Sequence, residues 1–170
     1  LAISGGTQSA GGSILFDGGS SGTDAGGSIV MASGSSQLGA TGSVVIISKD
    51  SAIASGDIVV GSGNTFDGAS GAILMSTGSS SDGIAGDIAI SAGTTEESLE
   101  IGGNVSLSSG KSTRGVSGTT TIESGASTLS RSGEVEIRSG NSSFADAGAV
   151  RIQGGAGGVG GHGADIHIRA

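Results

Sequence analysis

A short phrase recurs along the whole chain, and its period constrains the fold more than any other feature. Counted from the glycine ahead of each aliphatic pair, units begin near Gly12, Gly27, Gly42, Gly56, Gly71, Gly86, Gly103, Gly118, Gly133 and Gly148, mostly fifteen residues apart. A fixed short period is the signature of a solenoid. Within each unit the third position holds an aliphatic residue such as Ile14, Ile29, Val44, Ile58, Ile73, Ile88, Val105, Val135 or Val150. The fifth holds Phe16, Met31, Ile46, Val60, Met75, Ile90, Leu107, Ile122, Ile137 or Ile152. Two apolar residues separated by one follow the period of a strand, and β-branched side chains suit a pleated sheet. A helix is excluded, because each unit carries several glycines and no apolar positions recur at three-and-four spacing.

One unit alone buries two aliphatic side chains, far too little to offset the entropy of ordering fifteen residues. Stacked on copies of itself, a unit gains backbone hydrogen bonds above and below. The expected fold is therefore all-β: a parallel β-helix, or β-solenoid, of about fifteen residues per coil and about eleven coils, with no α-helix, forming one domain over residues 1–170. Glycines in the first and eighth positions are expected at corners that need positive φ or close backbone approach. The return arc has Ser or Thr near positions nine and ten and a later apolar residue, as in Leu38, Ile53, Ile84, Val116, Leu129 and Phe144. The coil starting at Gly86 is longer, and an acidic loop is expected at Glu96 and Glu97. Leu1 and Ile3 fall in the third and fifth positions, as do Ile166 and Ile168, so the expectation is a segment of a longer repetitive chain.

Glycine accounts for 37 of 170 residues, and there is no proline, cysteine, tryptophan or tyrosine. Such density usually marks a flexible linker, but the aliphatic residues are placed at fixed intervals rather than scattered. The formal charge of -8 and the lack of aromatic platforms argue against nucleic acid as a partner. Without cysteine, neither disulfides nor thiolate metal sites are available. No apolar run is long enough to cross a membrane, and the opening residues lack the pattern of a signal peptide.

The recurring "G-x-I-x-I-x-S-G-x-S" resembles the parallel β-solenoid repeats of secreted adhesins and of glycine- and serine-rich algal cell-surface proteins. That resemblance covers nearly the whole chain and implies an extracellular scaffold or adhesive shaft. It carries no catalytic residues with it.

Several chemical signatures arise in so glycine-rich a chain, and each has a plainer reading. Gly18 to Gly22 matches a nucleophile elbow around Ser20, but in a stacked tube the only histidines, His162 and His167, would lie roughly 40 Å away. Gly155 to Gly160 matches the dinucleotide fingerprint in letters, yet a strand pattern follows it and supplies no helix N-terminus for phosphate. The stretch ending at Lys111 and Ser112 lacks the first glycine of a phosphate loop, since Val105 stands there. Gly160 to Asp165 copies the start of a calcium-binding nonapeptide, but such sites need successive turns and this one occurs once. Asp17, Asp57, Asp67, Asp82 and Asp87 lack paired spacing and read as solvated turn residues. No catalytic residue, cofactor or metal is expected. Asn104 and Asn141 begin glycosylation sequons.

The fourth position should point to solvent, yet it holds Leu15, Val30, Val45, Val59 and Leu74, with Ile47 widening the run two residues further on. These six are the candidate protein interface, because a contiguous apolar surface calls for a cover. In the later coils Glu136, Arg151 and His167 take that position, and Glu123, Arg138, Gln153 and Arg169 line up beside it. Opposite charges one coil apart are expected to pair across the ladder. The functional expectation is an extracellular structural repeat, serving as spacer, adhesive shaft or filament subunit. It would meet a partner protein or another copy through the stripe or through open solenoid ends. The alternative is a carbohydrate- or ice-binding wall of Ser and Thr. Regular Thr ladders are missing, for Thr119 to Thr121 is a single run.

Overall fold

The computed structural model describes residues 2–6, 11–96 and 101–169. The positions expected for Leu1 and for Glu97 fall outside that set. Two units divide the chain, Leu1–Asp87 and Ile88–Ala170. In both, the fifteen-residue period is written into the backbone as an alternation of extended segments and arcs.

Most arcs open at an eighth-position glycine, Lys49 standing there in the repeat from Gly42, and most close at the glycine that starts the next repeat, Ala164 taking that place after Gly155. In the first unit the Gly12 N–H donates to Gly6 O at 3.1 Å, Gly27 to Gly19 at 2.7 Å, and Gly42 to Gly34 at 3.1 Å. In the second, Gly103 donates to Gly93 at 3.0 Å, Gly118 to Gly110 at 2.9 Å, and Ala164 to Gly155 at 2.8 Å. These clasps explain the paired glycines. A Cβ added at Gly18 would run into the carbonyl oxygen of Gly27, so the two sides of that arc meet at a distance only glycine permits. The longer repeat that begins at Gly86 absorbs its extra residues between Gly93 and Gly103, where the Thr95 hydroxyl also donates to Ile101 O.

The apex of each arc has its own fastening. The chain bends at 22–24, 37–39, 52–53, 66–68, 81–83, 113–115, 128–130 and 143–145, always in positions eleven to thirteen of the repeat. Just ahead of most bends stands a serine whose Oγ accepts a backbone N–H. Ser21 takes that of Asp24 at 2.9 Å, Ser36 that of Gly39 at 2.9 Å, and Ser80 that of Gly83 at 3.0 Å. Ser112, Ser127 and Ser142 do the same for Gly115, Ser130 and Ala145, and Ser51 for Ile53. A short hydroxyl side chain thus replaces the backbone acceptor a tight turn would otherwise need.

Among the arcs whose apex is described, two lack the serine, and both turn on a left-handed glycine instead. Where Thr65 and Gly157 occupy the tenth position, Gly68 has φ 102° and Gly160 has φ 81° in the thirteenth. Gly161 N–H donates to Gly158 O at 3.0 Å, closing a type II turn in which only glycine sits without strain at Gly160. No other described glycine adopts positive φ; first-position glycines such as Gly12, Gly27, Gly103 and Gly118 sit in close backbone approach, whereas a Cβ at the eighth-position glycines, Gly34 among them, would meet nothing within 4 Å.

If the hydroxyl holds the bend, Ser127→Ala should speed hydrogen exchange of the Ser130 amide about two- to fivefold, the effect of one exposed hydrogen bond. Gly118 exchange should not change, and NMR on the two amides gives the comparison.

The parallel β-helix expected from the repeat is not what the chain forms. Apart from one bridged residue, Gly11, no described residue belongs to a sheet, and none is helical. Every backbone–backbone hydrogen bond among the described residues spans between three and ten residues, whereas stacked coils would require bonds across about fifteen. The physical reason lies in the size of the competing terms. Two aliphatic side chains per repeat return little for aligning distant segments, while glycine clasps and serine turns close within one arc at small entropic cost.

The result is that the described residues form no core. No described residue is buried, and the accessible surface is 17213 Å². A folded monomer of this mass would expose about 7,000 Å², and a fully extended one about 23,000 Å². The inward column expected of Ile29, Ile58 and Ile73 is likewise corrected, since each is about half exposed (54%, 53% and 54%). Alternation survives locally: the third-position side chain is about half exposed, while the fourth stands clearer of the chain.

Candidate functional site

Extended backbone sends alternate side chains to opposite sides. In the unit Leu1–Asp87 this leaves Leu15, Val30, Val45, Val59 and Leu74 outermost in their segments, with Val30 at 85% and Val59 at 88% exposure. Ile47, two residues beyond Val45, is also exposed. All six candidate interface residues are therefore free of cover from the chain itself. No backbone ladder joins one of their segments to the next.

A second set of apolar side chains was only partly legible from the repeat. Leu38, Ile53, Phe66, Leu129, Phe144 and Val159 sit on the bends and are wholly exposed. Phe66 and Val159 had not been singled out, although each follows the tenth position closely. The signal that finds all but Val159 is the hydroxyl in the tenth position with a small residue three places later; Val159 follows a glycine, Gly157, in that position.

The charged columns of the later repeats pair differently from the expectation. Arg138 Nε lies 3.3 Å from Glu136 Oε1, two residues away in the same segment rather than one repeat away. Without stacked coils, the nearest opposite charge on the same side is the local one. Both side chains are well exposed, so the pair contributes at most a few tenths of a kcal/mol.

Other sequence candidates are scattered over the surface. Ser20, His162 and His167 are exposed, and the long separation expected between them rested on stacking and falls with it. Asn104 and Asn141 are exposed as well, Asn141 standing beside the clasp formed by Ser142. The serines of the tenth position, counted by sequence as part of a ligand-binding wall, accept hydrogen bonds from their own arcs. Among the described residues there is no enclosed cavity, no group of three His, Asp or Glu placed to hold a metal ion, and no helix long and apolar enough to cross a membrane.

What the arrangement offers is surface: apolar side chains in regular order, backbone with unused donors and acceptors, and arcs that fix the interval between them. Comparison with protein-family models, curated proteins and solved structures found no match.

Proposed function

We propose that this chain is a structural assembly subunit, whose apolar rows are covered by other copies. The observation that carries the reading is the absence of any buried residue among those described, in a chain whose aliphatic residues are nonetheless spaced with strand periodicity. Apolar surface on this scale calls for burial, and the extended segments bring backbone groups that a neighbouring copy could pair. The stripe of Leu15, Val30, Val45, Ile47, Val59 and Leu74 is the lateral contact. The resemblance of the G-x-I-x-I-x-S-G-x-S phrase to cell-surface repeats supports a place outside the cell, as a spacer or adhesive shaft built from many copies.

Sedimentation across a wide concentration range tests this reading. Mass is expected to rise with concentration, and the binding of an apolar dye per chain is expected to fall as assemblies grow. A single chain at every concentration, with constant dye binding, would overturn it.

A further inference from the structure

Two consecutive repeats carry Asp-Gly at the same place, and their arcs differ in one fastening. Asp67-Gly68 and Asp82-Gly83 both occupy the twelfth and thirteenth positions, on the bends 66–68 and 81–83. In the second arc the Gly83 N–H donates to Ser80 Oγ at 3.0 Å. In the first, threonine replaces that serine and its hydroxyl points elsewhere: Thr65 Oγ1 donates to the carbonyl oxygen of Asp67 at 3.0 Å. Among the described residues nothing accepts the Gly68 N–H.

We propose that Asp67 is a modification site, the preferred position at which this chain converts aspartate to isoaspartate, because Gly68 lacks the serine hydroxyl that holds the amide of Gly83. The Gly68 nitrogen attacks Cγ of the protonated Asp67 carboxyl. A nitrogen–Cγ bond forms, a Cγ–oxygen bond breaks, and that oxygen leaves as water with the amide and carboxyl protons. Water then opens the five-membered succinimide at either carbonyl. Opening at Cγ restores aspartate, and opening at the main-chain carbonyl leaves the backbone running through Cβ and Cγ. No oxidant or second reactant is required.

Three observations favour Asp67. An amide already bound to Ser80 must first be released, whereas that of Gly68 needs no such step. The Thr65 hydroxyl draws electron density from the Asp67 carbonyl, which makes the adjoining N–H more acidic and the same carbonyl more open to water. Space is also available, for a Cβ built at Gly68 would meet nothing within 4 Å, while one at Gly83 would lie 3.3 Å from Ser80 Oγ. The remaining Asp-Gly pair, Asp17-Gly18, lies at the mouth of an arc where Gly18 is pressed against the Gly27 carbonyl, and should react slowest. At Asp67 the rearrangement inserts one methylene into the apex of an arc and so alters the interval that the repeat maintains.

The test is incubation of the full chain in mildly acidic buffer at physiological temperature, followed by peptide mapping and enzymatic methyl labelling of isoaspartate. Isoaspartate should accumulate at Asp67 about two- to tenfold faster than at Asp82, the ratio that one hydrogen bond of ordinary net strength converts to. Ser80→Ala should bring Asp82 up toward the rate of Asp67, and denaturant should erase the difference in the unmodified sequence. Equal rates at the two sites in the native chain, or no response of Asp82 to Ser80→Ala, would overturn the proposal.

Discussion

Replacing Val30, Val45 and Val59 together with threonine is expected to weaken self-association on the order of a hundredfold, if each lost methyl contact costs about 1 kcal/mol at the interface. Threonine keeps the branch at Cβ and with it the preference for extended backbone, so local conformation should not change. The three residues stand outermost in their segments, and no backbone hydrogen bond among the described residues joins those segments to a neighbouring repeat. Arc closure should accordingly survive, with the Gly27 and Gly42 amides keeping their exchange rates. Sedimentation of the variant beside the natural sequence supplies the measurement. A parallel variant, Leu38→Ser with Ile53→Ser, removes exposed apolar side chains from the arc apices of the same unit. If that variant dissociates and the valine variant does not, association runs through the arcs and the stripe is strand propensity alone.

The same residues show how much of this architecture is legible in sequence. The period, the paired glycines, the hydroxyls of the arc and the longer repeat at Gly86 are all features of a single unit, and each has a local physical cause within it. Stacking is another kind of property. Ile29 and Ile73 sit in positions with strand periodicity, but periodicity specifies which side a residue faces and not which segment, or which chain, lies against it. The charged residues repeat the lesson: Glu136 and Arg138 meet inside one segment because local proximity requires no alignment of distant parts. For the candidate interface, residue identity was readable from the fourth position. Its outward direction was readable there too; what became visible only once the segments were found unpaired is that the third and fifth positions are exposed as well. The left-handed glycines carried a signal that periodic reading passed over, since Gly68 and Gly160 matter only because the serine three positions earlier is replaced.

Gly18→Ala should open the arc between Gly19 and Gly27, whereas Gly34→Ala should leave the following arc closed. The first substitution drives a methyl group into the Gly27 carbonyl oxygen, a backbone atom that can yield only by moving the end of the segment that carries it. That movement separates Gly27 N from Gly19 O, now 2.7 Å apart, the shortest of the glycine clasps. At Gly34 an added Cβ meets nothing within 4 Å, and its carbonyl can still accept the Gly42 N–H. Alanine also narrows the unfolded ensemble, which at Gly34 is a small stabilisation and at Gly18 is outweighed by the collision. Loss of the hydrogen bond with the added steric cost, together about 1–2 kcal/mol, should raise the exchange rate of the Gly27 amide on the order of tenfold or more. In the Gly34 variant the Gly42 amide should exchange no faster than before. Equal sensitivity at the two sites would mean that the glycines are interchangeable flexible links, and the clasp would lose its role in setting the repeat.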